Sequence, residues 1–321
     1  RPSGHRPGNG ALEGVRHLVS ATAASLTPAA RAPGRVRAFL DLVRFEHSVF
    51  ALPFAYISAL TAMSAVNHRV HWRQLALVTI AMVGARTFAM AVNRIVDRHI
   101  DARNPRTKGR ELVTGAVSLR TAWVGAIVAL AVLMAAAAGL NRLCFVLAPV
   151  AAIVLAVYPY AKRFTWAPHA VLGLAQTIGP IGAWMAVTGR WSWTAVVLGL
   201  AVGCWIGGFD IIYALQDYEV DRRIGVKSLP ARFGPHVALA FSRLAHYATV
   251  LLLLWFGALA HLGWTWAAGV VLAAGALAYE QRLVKPDDLS KVNRAFFTVN
   301  GFVGIGLFCF ALADLVSRGL R

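Results

Sequence analysis

Nine stretches of this chain run almost unbroken through apolar residues, at roughly 46–66, 74–96, 118–139, 143–160, 167–188, 192–214, 237–259, 262–281 and 295–316. Each has about 18–23 residues, and an α-helix of that length, rising ~1.5 Å per residue, crosses the ~30 Å of hydrocarbon in a bilayer. The pattern predicts an all-α integral membrane bundle of about nine transmembrane helices. Residues 1–36 break it. They are rich in Arg, Gly, Pro, Ala and Ser and contain no apolar core of the signal-peptide kind. They are expected to form a disordered or weakly interfacial basic tail. Residues 37–316 then make one transmembrane domain, and 317–321 a short C-terminal tail.

Composition removes the soluble alternative. Of 321 residues, 58% are hydrophobic and 14% charged, too few polar residues to cover a soluble domain. The net charge of +18 would suit nucleic acid, but its placement does not. The basic residues lie in short segments between apolar runs, facing lipid headgroups, so the expected partner is the bilayer and not a nucleic acid. Residues 1–45 ahead of the first run and the loops 97–120, 159–168, 215–236 and 282–294 lie on one side and hold 23 of the 32 Lys and Arg; the loops and C-terminal tail of the other side hold 6. The basic side is expected to face the cytoplasm, in the inner (cytoplasmic) cell membrane.

Several features read as packing. Gly199, Gly203 and Gly207 recur every four residues and let another helix approach closely. Pro53, Pro149 and Pro180 are expected to kink or end helical turns. Trp191, Trp193, Trp264 and Trp266 sit at span edges, where an indole suits the membrane interface. Cys144, Cys204 and Cys309 fall inside apolar runs without ligand spacing and read as buried thiols. Glu46-His47, His99 and His169 show no metal-ligand spacing either, and the histidines read as interfacial or packed.

Chemistry concentrates at the ends of two spans. Asn93, Asp97 and Asp101 are spaced by four at the end of the second, which on a helix makes a polar stripe about 12 Å long. Arg86, seven residues earlier, shares roughly that face. The sixth span ends with Asp210, Tyr213, Asp217 and Asp221, and Asp217 and Asp221 again share a face. Four spans separate the two ends, so the chain returns to the same side and both stripes can face one cytoplasmic cavity. Carboxylates at the ends of apolar helices usually mark a function. Aligned, unpaired oxygen ligands suit a hard cation such as Mg²⁺, which takes one or two carboxylates and completes its shell with water and phosphate oxygens. Two stripes suit two ions around a diphosphate. Cations stand behind each stripe: Arg103, Arg106, Lys108 and Arg110 after the first, Arg222, Arg223 and Lys227 after the second, and Lys162-Arg163 after the fourth span. Such groups neutralise a leaving diphosphate.

These residues resemble the UbiA-type intramembrane prenyltransferases. The matching elements are Asn93-Arg-Ile-Val-Asp97-Arg-His-Ile-Asp101 with Arg106-Thr107 and Arg110 behind it, Asp217-Tyr-Glu-Val-Asp221 followed by Lys227-Ser228, and Tyr158-Pro-x-x-Lys162-Arg163. The likeness covers roughly residues 37–316. It implies a nine-helix bundle, two Mg²⁺ ions and a polyprenyl diphosphate donor. It implies Asn93, Asp97, Asp101, Asp217 and Asp221 as direct or water-mediated magnesium ligands, with Asp97, Asp217 and Lys162 central to catalysis. Lys162, Arg106, Arg110 and Lys227 would grip the diphosphate, and Arg86, Tyr213 and Asp210 complete the substrate-binding set. Arg44-Phe-Glu46-His47, Asn93-Arg94 and Asn104-Pro-Arg-Thr look like the branch that serves menaquinone synthesis by the futalosine route, which implies a dihydroxynaphthoate-type aromatic acid as acceptor. Asn93-Arg94, where 4-hydroxybenzoate enzymes more often carry Asn-Asp, disfavours a ubiquinone role. The expected reaction is electrophilic aromatic substitution: diphosphate leaves the allylic carbon, apolar walls shield the carbocation, and the ring attacks and loses a proton to a base that the sequence does not identify. Rival readings are a 4-hydroxybenzoate polyprenyltransferase of ubiquinone synthesis, the same fold with another acceptor, such as haem, a chlorophyll precursor, a glycerophospholipid or a sugar phosphate, and an ion-coupled transporter, whose sites lie nearer the midplane.

Overall fold

The computed structural model describes residues 35–43 and 52–321. The expectations for residues 1–34 and for Arg44, Glu46 and His47 lie outside the described residues. Arg35 and Val36, counted above with the tail, open a short helix, Arg35–Leu42. Ala38–Arg321 forms one compact unit.

The nine apolar runs appear as helical segments: Leu52–Asn67, Trp72–Asp101, Leu119–Leu140, Arg142–Val157, Pro168–Gln176 continued by Ile178–Thr188, Trp193–Ala214, Leu229–Leu259, Trp264–Leu283 and Asn300–Ser317. Among the described residues, seven segments are long and apolar enough to cross a membrane. Of the other two, Leu52–Asn67 is apolar with 16 described residues, and Trp264–Leu283 ends in the polar run Tyr279-Glu-Gln-Arg282. The chain is a multi-pass membrane protein. Several helices start where a side chain satisfies an otherwise unpaired backbone N–H: Ser118, Asn141, Ser192 and Ser228 each accept one from the first turn.

Three runs depart from uniform helices. The fifth is interrupted at Thr177, because Pro180 has no N–H to offer the Gln176 carbonyl. The seventh begins at Leu229, ahead of the apolar stretch, and turns sharply at Gly234 (φ 81°, ψ 167°), a conformation that glycine adopts without steric cost. The ninth opens with a π-helical turn, Ala295–Val299.

The glycine repeat fixes one crossing. A Cβ on Gly173 would stand 2.5 Å from the Gly203 carbonyl oxygen, and one on Gly203 would stand 2.7 Å from that of Gly173. Backbone therefore meets backbone where the helix Pro168–Gln176 crosses Trp193–Ala214. The core gathers Phe54, Trp205, Phe256, Trp266 and Leu307 on one side and Phe88, Val92, Ala126 and Leu155 on the other. Large apolar residues also cover the outside, Ile127, Ile153, Leu251 and Val271 among them. A soluble protein rarely exposes so much, and a bilayer solvates it.

Two packing expectations are corrected. Trp266 is not interfacial: it is 2% exposed and its Nε1 donates to the Leu253 carbonyl at 3.1 Å. Its ring fills the space beside Gly257, where a Cβ would come within 2.5 Å of it. Trp191, Trp193 and Trp264 are exposed, as expected. Cys309 is exposed rather than buried, and Cys144 and Cys204 are half-buried. An apolar run in a membrane helix has a lipid face as well as a core face.

Candidate active site

The helix Trp72–Asp101 continues past its apolar run and so carries the whole first stripe. Asp97 and Asp101 are buried, 1% and 5% exposed. The second stripe sits on a break: Trp193–Ala214 passes into a 3₁₀ turn, Leu215–Asp217, and then a short helix, Tyr218–Ile224.

The expectation of unpaired carboxylates is corrected. Lys162 Nζ lies 2.5 Å from Asp97 Oδ2, Arg110 Nη1 lies 2.6 Å from Asp101 Oδ1, and the Arg106 guanidinium grips both oxygens of Asp217. A buried carboxylate without compensation is costly, so nearby cations close on it. Asp221 instead accepts a hydrogen bond from the Ser228 hydroxyl at 3.2 Å. Asp97 keeps one buried oxygen, Oδ1, without a hydrogen bond.

The loop after the first stripe is folded to make these contacts. Asn104 Oδ1 accepts the Arg106 N–H, and Thr107 Oγ1 donates to the Asp101 carbonyl. Arg106 is thereby turned towards the second stripe. Its Nε is 2.8 Å from Asp217 Oδ1, and its Nη1 donates to the Tyr213 hydroxyl at 2.9 Å. Burial alone would lower the Arg106 pKa, but Asp217 and Tyr213 hold it above its ordinary value. Asn104 Nδ2 adds a bond to Asp217 at 2.8 Å. The loop behind the first stripe thus touches the second stripe, and the two stripes lie on one side of the bundle.

Lys162 enters from a third segment. A 3₁₀ turn, Tyr158–Tyr160, leads into Ala161–Phe164. Arg163 Nη2 fastens this segment to the Val96 carbonyl at 2.6 Å. The Lys227 N–H donates to the Lys162 carbonyl at 2.9 Å, and its Nζ donates to the Phe164 carbonyl at 3.2 Å.

A cavity of about 1250 Å³ joins these parts, and every candidate residue except Asp97 lines it. Asp97 stands behind Lys162. Away from the charged end the walls are apolar, with Met82, Leu133, Leu147, Val150 and Val154. Arg86 lies on the wall with its Nε buried and without a hydrogen-bond partner. The volume exceeds the ~300–1,000 Å³ of ordinary small-molecule pockets and suits an elongated amphiphile with an anionic head.

Sequence reasoning missed Asn104 as an Asp217 partner, Ser228 as the partner of Asp221, and His169. His169 Nδ1 and Asp210 Oδ2 are 2.6 Å apart, and both residues line the cavity. Nothing in the spacing of residues 169 and 210 signals this pair, since a helix crossing makes it.

Among the described residues, no three His, Cys, Asp or Glu side chains form a ready-made metal cage. Mg²⁺ seldom needs one, because it takes one or two carboxylates and fills its shell with water and phosphate. Asn93, Asp101, Asp217 and Asp221 around one cavity, with the unsatisfied Oδ1 of Asp97 behind them, form an all-oxygen donor set that fits such an ion.

A helical membrane bundle with acids and cations at one end of a long apolar cavity defines a class of membrane proteins that handle amphiphiles with anionic heads. Comparison with known proteins makes this specific: the model of the UbiA prenyltransferase family matches residues 51–302, and the chain belongs to that family. It is therefore a prenyltransferase. It is 30% identical over 297 residues to the 4-hydroxybenzoate octaprenyltransferase of Pseudomonas aeruginosa, covering 91% of this chain and 98% of that one. A UbiA homologue from Aeropyrum pernix, solved in apo form, is 35% identical with a TM-score of 0.76, over 84% of this chain and 98% of that one. A UbiA homologue from Archaeoglobus fulgidus, solved with DMAPP and Mg²⁺, shares the fold at 21% identity and a TM-score of 0.67, over 87% and 99%.

Proposed function

We propose that this prenyltransferase moves a polyprenyl group from its diphosphate to a ring carbon of a phenolic carboxylic acid in quinone biosynthesis. The observation that carries the reading is the single cavity, charged at one end and apolar along its length. Arg106, Arg110, Lys162 and Lys227 bind the diphosphate, and the apolar walls take the prenyl chain and keep water from the allylic cation. Asn93, Asp97 and Asp101 from one stripe and Asp217 and Asp221 from the other would hold Mg²⁺, two ions on this reading. When bound, the ions neutralise the charge that grows on the leaving diphosphate. Lys162 and Arg106, which neutralise Asp97 and Asp217 here, are the cations that a bound diphosphate would share. Arg86, a buried guanidinium with an unused Nε on the apolar wall, is suited to the acceptor carboxylate, and Tyr213 and Asp210 on the same cavity are proposed as acceptor contacts.

Two acceptors compete within this class. The Asn93-Arg94 and Asn104-Pro-Arg-Thr segments favour a dihydroxynaphthoate-like acid and menaquinone. The name of the Pseudomonas aeruginosa relative favours 4-hydroxybenzoate. The charged end is proposed to face the cytoplasm of the inner membrane. Single cysteines in 97–117 and 215–236 should then be labelled from that side alone.

The deciding experiment incubates membranes carrying the protein with a labelled polyprenyl diphosphate, Mg²⁺ and a panel of aromatic acids. The expected result is a prenylated phenolic acid and free diphosphate, both abolished by a chelator and restored by Mg²⁺. Label transferred to no aromatic acid would overturn the acceptor class, and full activity in chelator would overturn the metal assignment.

A further inference from the structure

The proposed reaction needs its acceptor ring to be electron-rich, and a phenolate is far more so than a phenol. One group on the cavity wall is arranged to make it. His169 sits in the first turn of the helix Pro168–Gln176 and is 4% exposed. Its Nδ1 faces Asp210 Oδ2 at 2.6 Å, and its Nε2 is buried with no hydrogen-bond partner. An ionised Asp210 only accepts, so Nδ1 is the donor of this pair, and in the neutral imidazole Nε2 carries the lone pair. A buried acceptor left unsatisfied is unfavourable, and because His169 lines the cavity, a hydroxyl that reaches Nε2 from there would remove that cost. A ring C–H does not.

The placement is built into the backbone. The contact between Gly173 and Gly203 brings the two helices together, and a Cβ on Gly207 would stand 3.2 Å from the His169 carbonyl oxygen. One turn further along the second helix stands Asp210. Pair and crossing therefore form one unit.

Resting on the function proposed above, we infer that His169 is the general base that takes the phenolic proton of the acceptor, with Asp210 as its positioning residue. The acceptor O–H bond breaks, the proton goes to His169 Nε2, and the electron pair stays on oxygen and spreads into the ring. The ring carbon then bonds to C1 of the prenyl donor as the C1–O bond breaks and its pair leaves with diphosphate. The product at this stage is a dienone. It regains its aromatic ring when the proton on the substituted carbon passes to diphosphate and His169 returns its own to the oxygen. Asp210 keeps Nδ1 protonated and stabilises the imidazolium that forms between these steps.

The test compares wild type, His169→Gln, His169→Leu and Asp210→Asn on two acceptors: the phenolic acid that wild type accepts, and its ring-fluorinated analogue whose hydroxyl is already ionised at the assay pH. Each variant is read as a ratio to wild type on the same acceptor, which cancels the lower nucleophilicity of the fluorinated ring. On the ordinary acceptor, kcat of His169→Leu should fall by about 10²-fold or more, the scale of a lost general base. On the pre-ionised acceptor the loss should shrink at least about tenfold. KM for the prenyl diphosphate should hold. Asp210→Asn should follow the same pattern at smaller size, which keeps the idea testable if His169→Leu inserts poorly. Equal losses on both acceptors, or wild-type kcat in His169→Gln, overturn the inference and leave the prenyl transfer intact. Wild type that prenylates neither acid overturns the function and the inference together.

Discussion

Arg106 and Asp217 lie 111 positions apart in the chain, and the guanidinium of one grips both oxygens of the other. This pair closes the space between the two acidic stripes. It ties the end of the second span to the end of the sixth, with Tyr213 and Asn104 bonded to the same two residues. On the proposed function, a diphosphate in the cavity would share Arg106 with Asp217, and substrate binding would remodel this pair.

The geometry of the fork is therefore expected to matter beyond its charge. Arg106→Lys keeps the cation but loses the two-point grip. We expect kcat/KM for polyprenyl diphosphate to fall by about tenfold or more, on the scale of one misplaced charged hydrogen bond. KM for the aromatic acid should stay near wild type. Steady-state kinetics with each substrate varied in turn checks this, and unchanged donor kinetics would remove Arg106 from the diphosphate site.

Asp97→Asn and Asp217→Asn keep the size of the side chain and delete one negative charge. Each should lose at least ~10²-fold in rate, the scale of one strong electrostatic contact to a transition state. Membrane insertion should survive, because each Asn still accepts a hydrogen bond from its neighbouring cation. Activity within about twofold of wild type in either variant is incompatible with a metal-binding role, given that scale.

Lys162→Met tests whether this cation serves the donor or only anchors its segment. Arg163 and Lys227 also hold that segment, through the Val96 and Phe164 carbonyls, so the amount of inserted protein should hold. The donor role predicts a raised KM for prenyl diphosphate or a lowered kcat, since charge on the diphosphate grows as its bond breaks. KM for the aromatic acid should change little. Weak acceptor binding with unchanged donor kinetics would reassign Lys162 to the acceptor carboxylate.

The glycine crossing should be intolerant of any side chain. Gly173→Val forces atoms into the space held by the Gly203 backbone, which is 2.5 Å from a built Cβ. Overpacking of this kind costs about 1–3 kcal/mol, seen as a lower thermal midpoint in detergent. Activity should fall further than stability accounts for, because the same strain separates His169 from Asp210. A variant as stable and as active as wild type would mean that the two helices have room to part.

The sequence by itself determined the class of fold, the spans and the two acidic stripes. Apolar runs near the length of a bilayer crossing leave a chain few alternatives, since backbone groups in hydrocarbon must be satisfied within the helix. A polar residue recurring every four positions must occupy one helical face. Those are local consequences of helix geometry, and Asn93, Asp97 and Asp101 could be read from them. Tertiary structure decided who meets whom. Lys162 on Asp97, Arg106 on Asp217 and His169 beside Asp210 each join segments separated by 41 to 111 positions. The breaks at Thr177 and Gly234, the burial of Trp266 and the outward face of Cys309 belong to the same level. Helix periodicity specifies a face but not what packs against it. That choice follows from where backbones can approach, as at Gly173 and Gly203, and from the need of each buried charge to find a partner of opposite sign.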